Sequence, residues 1–177
     1  MHVRSTMLKK LFGLFGKSES MENALVLYAP CDGTLLKLKD LPDEAFSSEM
    51  LGKGFAVEPT SDIIKSPIKA NIVSVFPTKH ALTLQADNAE ILIHIGIDTV
   101  KLAGAGSETL VKAGDTVELG QALVKIDFSA LEAAGCAKSV ILVVCNHNEF
   151  KDLAIQSKPQ VTPSDKILIM KWIEVES

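Results

Sequence analysis

Residues 81–97 read ALTLQADNAEILIHIGI, and this stretch decides the predicted fold. Two short apolar runs, Leu82–Gln85 and Ile91–Ile93, flank the dipeptide Asp87-Asn88. Asp and Asn both tolerate the positive φ angles that tight hairpin turns require. The stretch therefore predicts a β-hairpin made of two adjacent strands.

Similar short apolar or alternating runs recur from Leu25 onward, and Gly, Pro, Asp or Asn separates most of them. They lie at Leu25–Tyr28, Thr34–Leu38, Phe55–Val57, Ile72–Phe76, Ala81–Leu84, Ile91–Ile93, Ala122–Ile126, Val140–Val144 and Ile167–Trp172. Helical signal is weak: Ser129 to Glu132 resembles a capping box opening a turn that ends near Gly135, and Glu149 to Ile155 is a second candidate. Many short strands without long helices predict an all-β domain, a sandwich or partly closed barrel.

An internal repeat supports this architecture. Residues 29–38 (APCDGTLLKL) align with residues 66–75 (SPIKANIVSV), and each copy reads small residue, proline, turn and strand. Residues 111–121 (VKAGDTVELGQ) add a corner in which Gly-Asp and Gly-Gln bracket two strands, a pattern that also occurs in biotinyl and lipoyl carrier domains. The spacing is too irregular for a solenoid, so the repeat predicts a duplicated β motif folded on itself.

The N-terminal segment differs from the rest of the chain. An apolar stripe at i, i+3, i+4 and i+7, flanked by lysines, predicts a flexible or short amphipathic segment over residues 1–20. The stripe consists of Leu8, Leu11, Phe12 and Phe15. Residues 7–17 are candidates for peripheral contact with an anionic membrane surface, and the domain proper is expected over residues 21–177. Two glycines interrupt the apolar run and no cleavage site follows, which argues against a secretory signal; Met7 is an alternative start.

Composition narrows the class of protein. Basic and acidic residues number 18 and 22, a net charge of −4 without long runs, which argues against nucleic-acid binding. The 47% apolar content suffices for one core, and no apolar stretch approaches the ~18–20 residues that span a bilayer. Three cysteines without CxxC spacing predict reduced, mostly buried thiols in a cytoplasmic protein.

Of the four histidines, two lie beside strand-like apolar runs. His2 is in the tail and His147 in a polar turn, which leaves His80 and His94 as candidates for chemistry. His94 follows the run Ile91–Ile93 and precedes Ile95-Gly96-Ile97, so it lies among apolar neighbours. On this pattern alone, His94 is either a hydrogen-bonded structural residue or a functional one.

The segment His94-Ile95-Gly96-Ile97-Asp98-Thr99-Val100, preceded by Thr78-Lys79-His80-Ala81, resembles the active-site pair of glucose-family enzyme IIA domains of the bacterial phosphoenolpyruvate-dependent sugar phosphotransferase system. Further stretches follow the family's order over about Leu25 to Trp172. They are Ala29-Pro30 with Gly33, Leu41-Pro42-Asp43 to Phe46, residues 51–57, Pro59-Thr60 and the Gly-Asp/Gly-Gln corner. The resemblance implies a β-sandwich or barrel-sandwich hybrid fold, phosphorylation of His94 by the carrier HPr, and transfer to a cysteine of an enzyme IIB domain. It also implies that His80 is the partner histidine and Thr78 its neighbour.

These residue types suit phosphoryl transfer. A neutral imidazole offers a nucleophilic nitrogen near neutral pH, so we expect Nε2 of His94 to attack while a carbonyl of the following loop, that of Gly96, holds Nδ1–H. We expect His80 to stabilise the phosphoryl oxygens and Thr78 to orient His80. Asp98 belongs to the site by resemblance, but on pattern it is equally a turn residue that caps backbone N–H groups.

An apolar collar is expected to surround the two rings, exclude water and dock both partner proteins. Its candidates are Phe46, Met50, Leu51, Phe76, Leu82, Leu92, Ile95 and Val100. For each of them burial in the core is the alternative explanation, and only an exposed contiguous patch would mark a docking face.

Two other classes of function compete with this interpretation. A zinc-dependent hydrolase of related β fold would use His80, His94 and a carboxylate as ligands, although no HExxH motif is present. A regulatory binding module would act on its targets through the phosphorylation state of His94. A swinging-arm carrier would need a recognisable lysine motif, and none is evident. Transfer itself requires no cofactor, and a Zn²⁺ ion shared by the two histidines and a partner's carboxylate is a further candidate ligand.

Overall fold

The computed structural model describes residues 23–174 of the chain. The amphipathic segment predicted for residues 1–20, and its boundary with the domain, lie outside the described residues and stay predictions. Within residues 23–174, no helix is long and apolar enough to cross a membrane.

The hairpin predicted around Asp87-Asn88 is present in the largest sheet. Strand β6 (Ala81–Ala86) pairs antiparallel with β7 (Ala89–Ile97), and Ala86 lies opposite Ala89 across the two-residue loop. Asp87 adopts a φ of 50°, the left-handed conformation expected in such a loop.

Fourteen strands form three sheets in the described part of the chain. Besides β6 and β7 they are β1 (Ala24–Tyr28), β2 (Gly33–Leu36), β3 (Lys53–Pro59), β4 (Ile63–Lys65), β5 (Ala70–Val75), β8 (Ser107–Thr109), β9 (Thr116–Val117), β10 (Ala122–Ile126), β11 (Ala137–Val144), β12 (Phe150–Ile155), β13 (Gln160–Val161) and β14 (Lys166–Trp172). The eight-stranded sheet has the order β13-β2-β3-β11-β7-β6-β5-β9, and the three-stranded sheets have the orders β1-β14-β12 and β4-β10-β8. All the pairings are antiparallel, so the predicted all-β sandwich is confirmed.

The two copies of the internal repeat bind each other reciprocally. The N–H of Tyr28 donates to the carbonyl of Pro67 at 3.0 Å, and the N–H of Lys65 donates to the carbonyl of Pro30 at 2.7 Å. Pro30 and Pro67 occupy equivalent positions in the two copies. The contacts therefore show a motif duplicated and folded on itself, as predicted.

The corner sequence is duplicated as well. Residues 111–117 (VKAGDTV) correspond to residues 161–167 (VTPSDKI). A carboxylate oxygen of Asp115 accepts from the N–H of Lys112 at 2.9 Å, and one of Asp165 accepts from the N–H of Thr162 at 2.8 Å. An aspartate at the corresponding position thus closes the corresponding turn in each half of the repeat.

One of the two predicted helical turns is wrong. Glu149 only ends a 3-10 turn (His147–Glu149), and Phe150–Ile155 is strand β12, which pairs with β14. A bulge between Lys151 and Ala154, with Asp152 at a φ of 54°, breaks the strand's two-residue period. Phe150 and Leu153 consequently both pack in the main core although they are three residues apart, a spacing typical of a helix.

The other predicted helical turn is confirmed, with a different cap. Helix α2 (Phe128–Ala133) begins after Asp127, whose side chain accepts from the N–H of Ala130 at 3.1 Å. The capping residue is therefore Asp127 and not Ser129.

A flap, residues 38–51, covers part of the outer face of the eight-stranded sheet. It contains a 3-10 turn (Leu38–Asp40) and helix α1 (Glu44–Ser47), which starts where the Asp43 carboxylate accepts from the N–H of Ala45 at 2.9 Å. Its apolar residues form a second small core with the sheet, separate from the main core between the sheets. This cluster consists of Leu38, Leu41, Phe46, Ala56, Ile97, Ile141 and Val143.

The three cysteines are free thiols. Cys31 and Cys136 are buried, whereas Cys145 is exposed. Burial raises the pKa of Cys31 to about 12, so that thiol is protonated and unreactive at neutral pH.

Candidate functional site

The two candidate histidines lie side by side on the outer face of the eight-stranded sheet. The ring centroids of His80 and His94 are 5.0 Å apart, with 73° between the ring planes. Ala81 pairs with His94 across β6 and β7, and the N–H of Ile95 donates to the carbonyl of His80 at 2.7 Å. The register of the hairpin therefore brings together two rings that are fourteen residues apart in sequence.

A single hydrogen bond sets the tautomer of His94. Its Nδ1 lies 2.8 Å from the carbonyl oxygen of Gly96, and since a carbonyl only accepts, Nδ1 carries the hydrogen. In the neutral ring, Nε2 then has a free lone pair. This is the contact expected from the sequence.

Gly96 makes that contact sterically feasible. Its φ is 72°, a conformation that L side chains rarely adopt. A Cβ at this position would collide with the Thr99 side chain and would lie 2.7 Å from the carbonyl oxygen of Ala137. The absence of a side chain lets the loop turn back onto the ring of His94.

The side chain of Thr78 holds the ring of His80. The hydroxyl of Thr78 and Nδ1 of His80 form a short hydrogen bond. If the hydroxyl donates, the neutral ring carries its hydrogen on Nε2 and can donate it to a third group. Two neighbouring imidazoles would then present one acceptor nitrogen and one donor nitrogen.

Both rings favour the neutral form. Burial lowers the pKa of His80. Burial also lowers the pKa of His94, and the nearby His80 lowers it further, against the opposing effects of the Gly96 hydrogen bond and the Asp43 carboxylate. At neutral pH His94 therefore has an unprotonated nitrogen available for attack.

Aromatic side chains flank each ring. Phe46 of the flap packs edge-on against His94, with ring centroids 5.1 Å apart. Phe76 packs in the same manner against His80 at 5.4 Å. These contacts shield the two rings from water on their flanks.

A family model for the phosphoenolpyruvate-dependent sugar phosphotransferase system, EIIA 1, matches residues 25–150. The chain belongs to this family. It is thus an enzyme IIA domain, a phosphotransferase component of that sugar transport system.

Relatives and solved structures agree with this assignment. The EIIA domain is 37% identical over 166 residues to the glucose-specific EIIA component of the phosphotransferase system of Staphylococcus epidermidis, covering 92% of this chain and 97% of that protein. It is 39% identical, with the same coverage, to the corresponding protein of Staphylococcus aureus. The solved structure of glucose permease IIA from Mycoplasma capricolum superposes with a TM-score of 0.76 at 38% identity, covering 85% of this chain and 98% of that one.

Two residues predicted for the collar of the EIIA domain do not lie on its surface. Leu82 and Ile95 are each 1% exposed and pack in the main core. Successive residues of a strand face opposite sides of the sheet, so Ile95 points away from the face that carries His94. These two residues are therefore not available for docking.

The other residues predicted for the collar fall into two groups, those that are partly or fully buried near His94 and those that are exposed to solvent. Phe46 is buried beside His94, so it supports the ring and is not itself a docking surface. Leu92 is half-buried on the same face of β7 as His94. Four side chains are exposed and can meet another protein: Met50 (76%), Leu51 (40%), Phe76 (37%) and Val100 (55%).

Asp98 does not cap the turn that follows β7. It adopts a φ of 63° and precedes a 3-10 turn (Thr99–Leu102), yet its side chain makes no capping hydrogen bond. Asp98 is therefore a turn residue, as one of the two alternatives has it, but the capping role in that alternative is wrong, because the left-handed backbone, and not the carboxylate, makes the turn. The Asp98 side chain remains exposed.

Sequence reasoning missed two residues of the site. The charge of Asp43 acts on His94, although the sequence indicates Asp43 only as part of the flap stretch that follows the family's order. Buried Thr99 donates from its hydroxyl to the carbonyl of Ile95 at 2.6 Å and so anchors the turn after His94. A Pro-Asp pair before a short helix is a readable capping signal, whereas Thr99 lies in the segment that resembles the family but no local pattern predicts its hydrogen bond.

The site lacks the donor set of a catalytic zinc centre. Within residues 23–174, no group of three or more His, Cys, Asp or Glu side chains is arranged to hold a metal ion. Two imidazoles alone fall short of the three protein ligands that catalytic zinc sites use. The hydrolase alternative therefore has no support in this geometry.

Proposed function

We propose that this EIIA domain accepts a phosphoryl group from phospho-HPr on Nε2 of His94 and passes it to a cysteine of an enzyme IIB domain. The observation that carries the proposal is the pair of rings 5.0 Å apart, with Nδ1 of His94 bound to Gly96 at 2.8 Å. The glucose-specific names of the relatives make a glucose permease the preferred destination.

In the first step the lone pair on Nε2 of His94 attacks the phosphorus of phospho-HPr. A new N–P bond forms, the donor's N–P bond breaks, and its electron pair returns to the imidazole of HPr. In the second step the enzyme IIB thiolate attacks the same phosphorus, and the electron pair of the breaking bond returns to Nε2 of His94. No separate base is needed, since burial keeps His94 neutral by lowering its pKa.

His80 serves as the hydrogen-bond donor to the phosphoryl group. We assign the Thr78 hydroxyl as the donor in its short hydrogen bond with Nδ1 of His80, so that the ring hydrogen of the neutral His80 lies on Nε2. That N–H stabilises charge on the phosphoryl oxygens while the group transfers. Thr78 is a positioning residue, because it acts through His80.

The exposed apolar residues provide the docking surface for both partners. Met50, Leu51, Phe76 and Val100 are each at least 37% exposed, and apolar side chains that stay exposed can form the contact surface for another protein. Docking over them removes water from the two rings, which strengthens the polar contacts there and protects the phosphohistidine from hydrolysis.

Labelling tests the proposal. With enzyme I, HPr and ³²P-phosphoenolpyruvate, the chain should acquire acid-labile, base-stable phosphate, and His94→Ala should abolish it. His80→Ala should still accept phosphate at least partly but fail to pass it to a purified glucose enzyme IIB domain. His147→Ala is the matched control, since His147 lies in a separate 3-10 turn (His147–Glu149), and it should behave as wild type. Retained labelling of His94→Ala, or normal onward transfer by His80→Ala, contradicts the assigned roles.

A further inference from the structure

A second concave surface lies away from the two histidines. It is a groove of about 630 Å³ between β2 with the start of the flap on one side and β12 with the chain that follows it on the other. None of the residues of the phosphoryl site lines it. This seam groove has the size of a ligand-binding cleft, and the role proposed for the two histidines assigns it no part.

The floor of the seam groove is apolar. Leu35, Leu153 and Ile155 line it, and all three are half-buried and pack against the main core. Aliphatic side chains that are half-covered in this manner offer apolar surface that a bound molecule can remove from water.

One wall of the seam groove is an open sheet edge. In the described part of the chain β12 pairs with β14 alone and is the terminal strand of its sheet. The N–H of Gln156 donates to the carbonyl of Ile167 at 2.8 Å, toward β14. Since successive residues direct their backbone groups to opposite edges, Ile155 directs its N–H and carbonyl to the open edge. An extended peptide can pair with such an edge.

The rim of the seam groove is basic, although the whole chain carries a net charge of −4. Lys37 and Lys39 are exposed, and neither forms an ion pair with another residue of the range 23–174. Lys158 lies at the same rim and pairs with Asp165 at 3.2 Å, and Glu49 is the single acidic residue of the lining. Charge complementarity therefore favours an acidic occupant.

The same charges disfavour this chain's own N-terminal segment as the occupant. Residues 7–17 contain three lysines and no acidic residue. Placed in the seam groove, they would bring like charges beside Lys37 and Lys39.

We propose that the seam groove binds an extended peptide of a partner protein, in which apolar residues alternate with Asp or Glu, added as a strand along β12. Alternate side chains of such a strand face opposite sides, so the apolar ones cover Leu35, Leu153 and Ile155. The acidic ones lie toward the rim within reach of Lys37 and Lys39. A partner bound there leaves His80 and His94 uncovered.

Fluorescence polarisation with a defined probe tests this site. The probe is a fluorescein-labelled peptide Glu-Val-Glu-Val-Glu-Val-Glu, and its comparators are the Lys-Val counterpart and a peptide of residues 7–17. The full-length protein should bind the acidic peptide saturably and neither comparator. The double variant Lys37→Glu/Lys39→Glu should weaken binding at least about tenfold, since two attractions become repulsions. Lys69→Glu/Lys125→Glu, which changes the net charge equally at exposed positions outside the groove, should bind within about twofold of wild type.

Amide NMR spectra locate the contact. The acidic peptide should shift resonances of residues 35–39 and 153–159, which line the groove. Absence of saturable binding, stronger binding of either comparator, or shifts confined to residues around His94 would each overturn the proposal. Phosphorylation by phospho-HPr, measured in parallel, should be normal in both double variants, so the outcome is independent of the role proposed for His94.

Discussion

Replacing Gly96 by Ala perturbs the residue that holds the proposed nucleophile. The carbonyl of Gly96 accepts from Nδ1 of His94 at 2.8 Å, and the backbone there has a φ of 72°. An added Cβ would collide with the Thr99 side chain and lie 2.7 Å from the carbonyl oxygen of Ala137. Because Ala137 contributes backbone, the loop itself must move, and the carbonyl moves with it.

The size of the effect follows from two contributions. The left-handed conformation costs a residue with a Cβ about 1–2 kcal/mol. Overpacking against Thr99 and Ala137 adds about 1–3 kcal/mol, for a loss of roughly 2–5 kcal/mol in the free energy of unfolding. Losing the net contribution of one hydrogen bond, about 0.5–1.5 kcal/mol, should slow phosphoryl acceptance by His94 roughly 2- to 13-fold.

Gly135→Ala is the matched control. Gly135 has a φ of 75°, almost that of Gly96, but a Cβ there meets nothing within 4 Å. This variant should therefore lose only the conformational contribution of about 1–2 kcal/mol and should accept phosphate normally.

Urea denaturation and rapid-quench phosphorylation by phospho-HPr measure the two quantities separately. Equal destabilisation of the two variants would refute the packing argument at Gly96. A folded Gly96→Ala protein that is phosphorylated at the wild-type rate would refute the claim that its carbonyl orients His94.

Further predictions concern the histidine site and the division between core and surface residues. Because burial lowers the pKa of His94, the rate of phosphoryl acceptance should rise with pH through a midpoint below 6.5. Phe46→Ala exposes the ring and should move that midpoint upward in rapid-quench assays. An unmoved midpoint would show that Phe46 does not desolvate the ring. The same lowered pKa of His94 affects folding. It stabilises the folded protein above pH 6.5, and this contribution is lost as the pH falls through the pKa of the folded state. Urea denaturation at a series of pH values measures the resulting change in the free energy of unfolding. Thr78→Val removes the hydroxyl that holds the ring of His80, so it should slow onward transfer to enzyme IIB more than acceptance from HPr. Onward transfer at the wild-type rate would count against that role of Thr78. Leu82 is buried, so Leu82→Ala should lower the free energy of unfolding, measured in urea, by about 2–5 kcal/mol. Val100 is exposed, so Val100→Ala should change it by less than about 0.5 kcal/mol and should instead raise the KM for phospho-HPr. The opposite pattern would show that the core and surface residues were assigned the wrong way round.

Local sequence was sufficient for most strands, because apolar alternation and turn residues act over a few positions. The hairpin at Asp87-Asn88 and the paired prolines of the repeat could be predicted in this way. The segment Phe150–Ile155 could not, since a bulge replaces its two-residue period with helix-like spacing. Only pairing with β14, a tertiary contact, makes that stretch a strand.

The sequence by itself determined the chemistry available to this protein: two histidines, a threonine two residues before one of them, and a glycine two residues after the other. These short-range spacings allow the contacts of Thr78 with His80 and of His94 with Gly96 that the structure shows. The tertiary structure alone decided that the two rings lie 5.0 Å apart, that Phe46 shields His94, and that Leu82 and Ile95 face the core. The physical reason is that strand register and the placement of the flap depend on the packing of whole sheets, to which segments far apart in sequence contribute together.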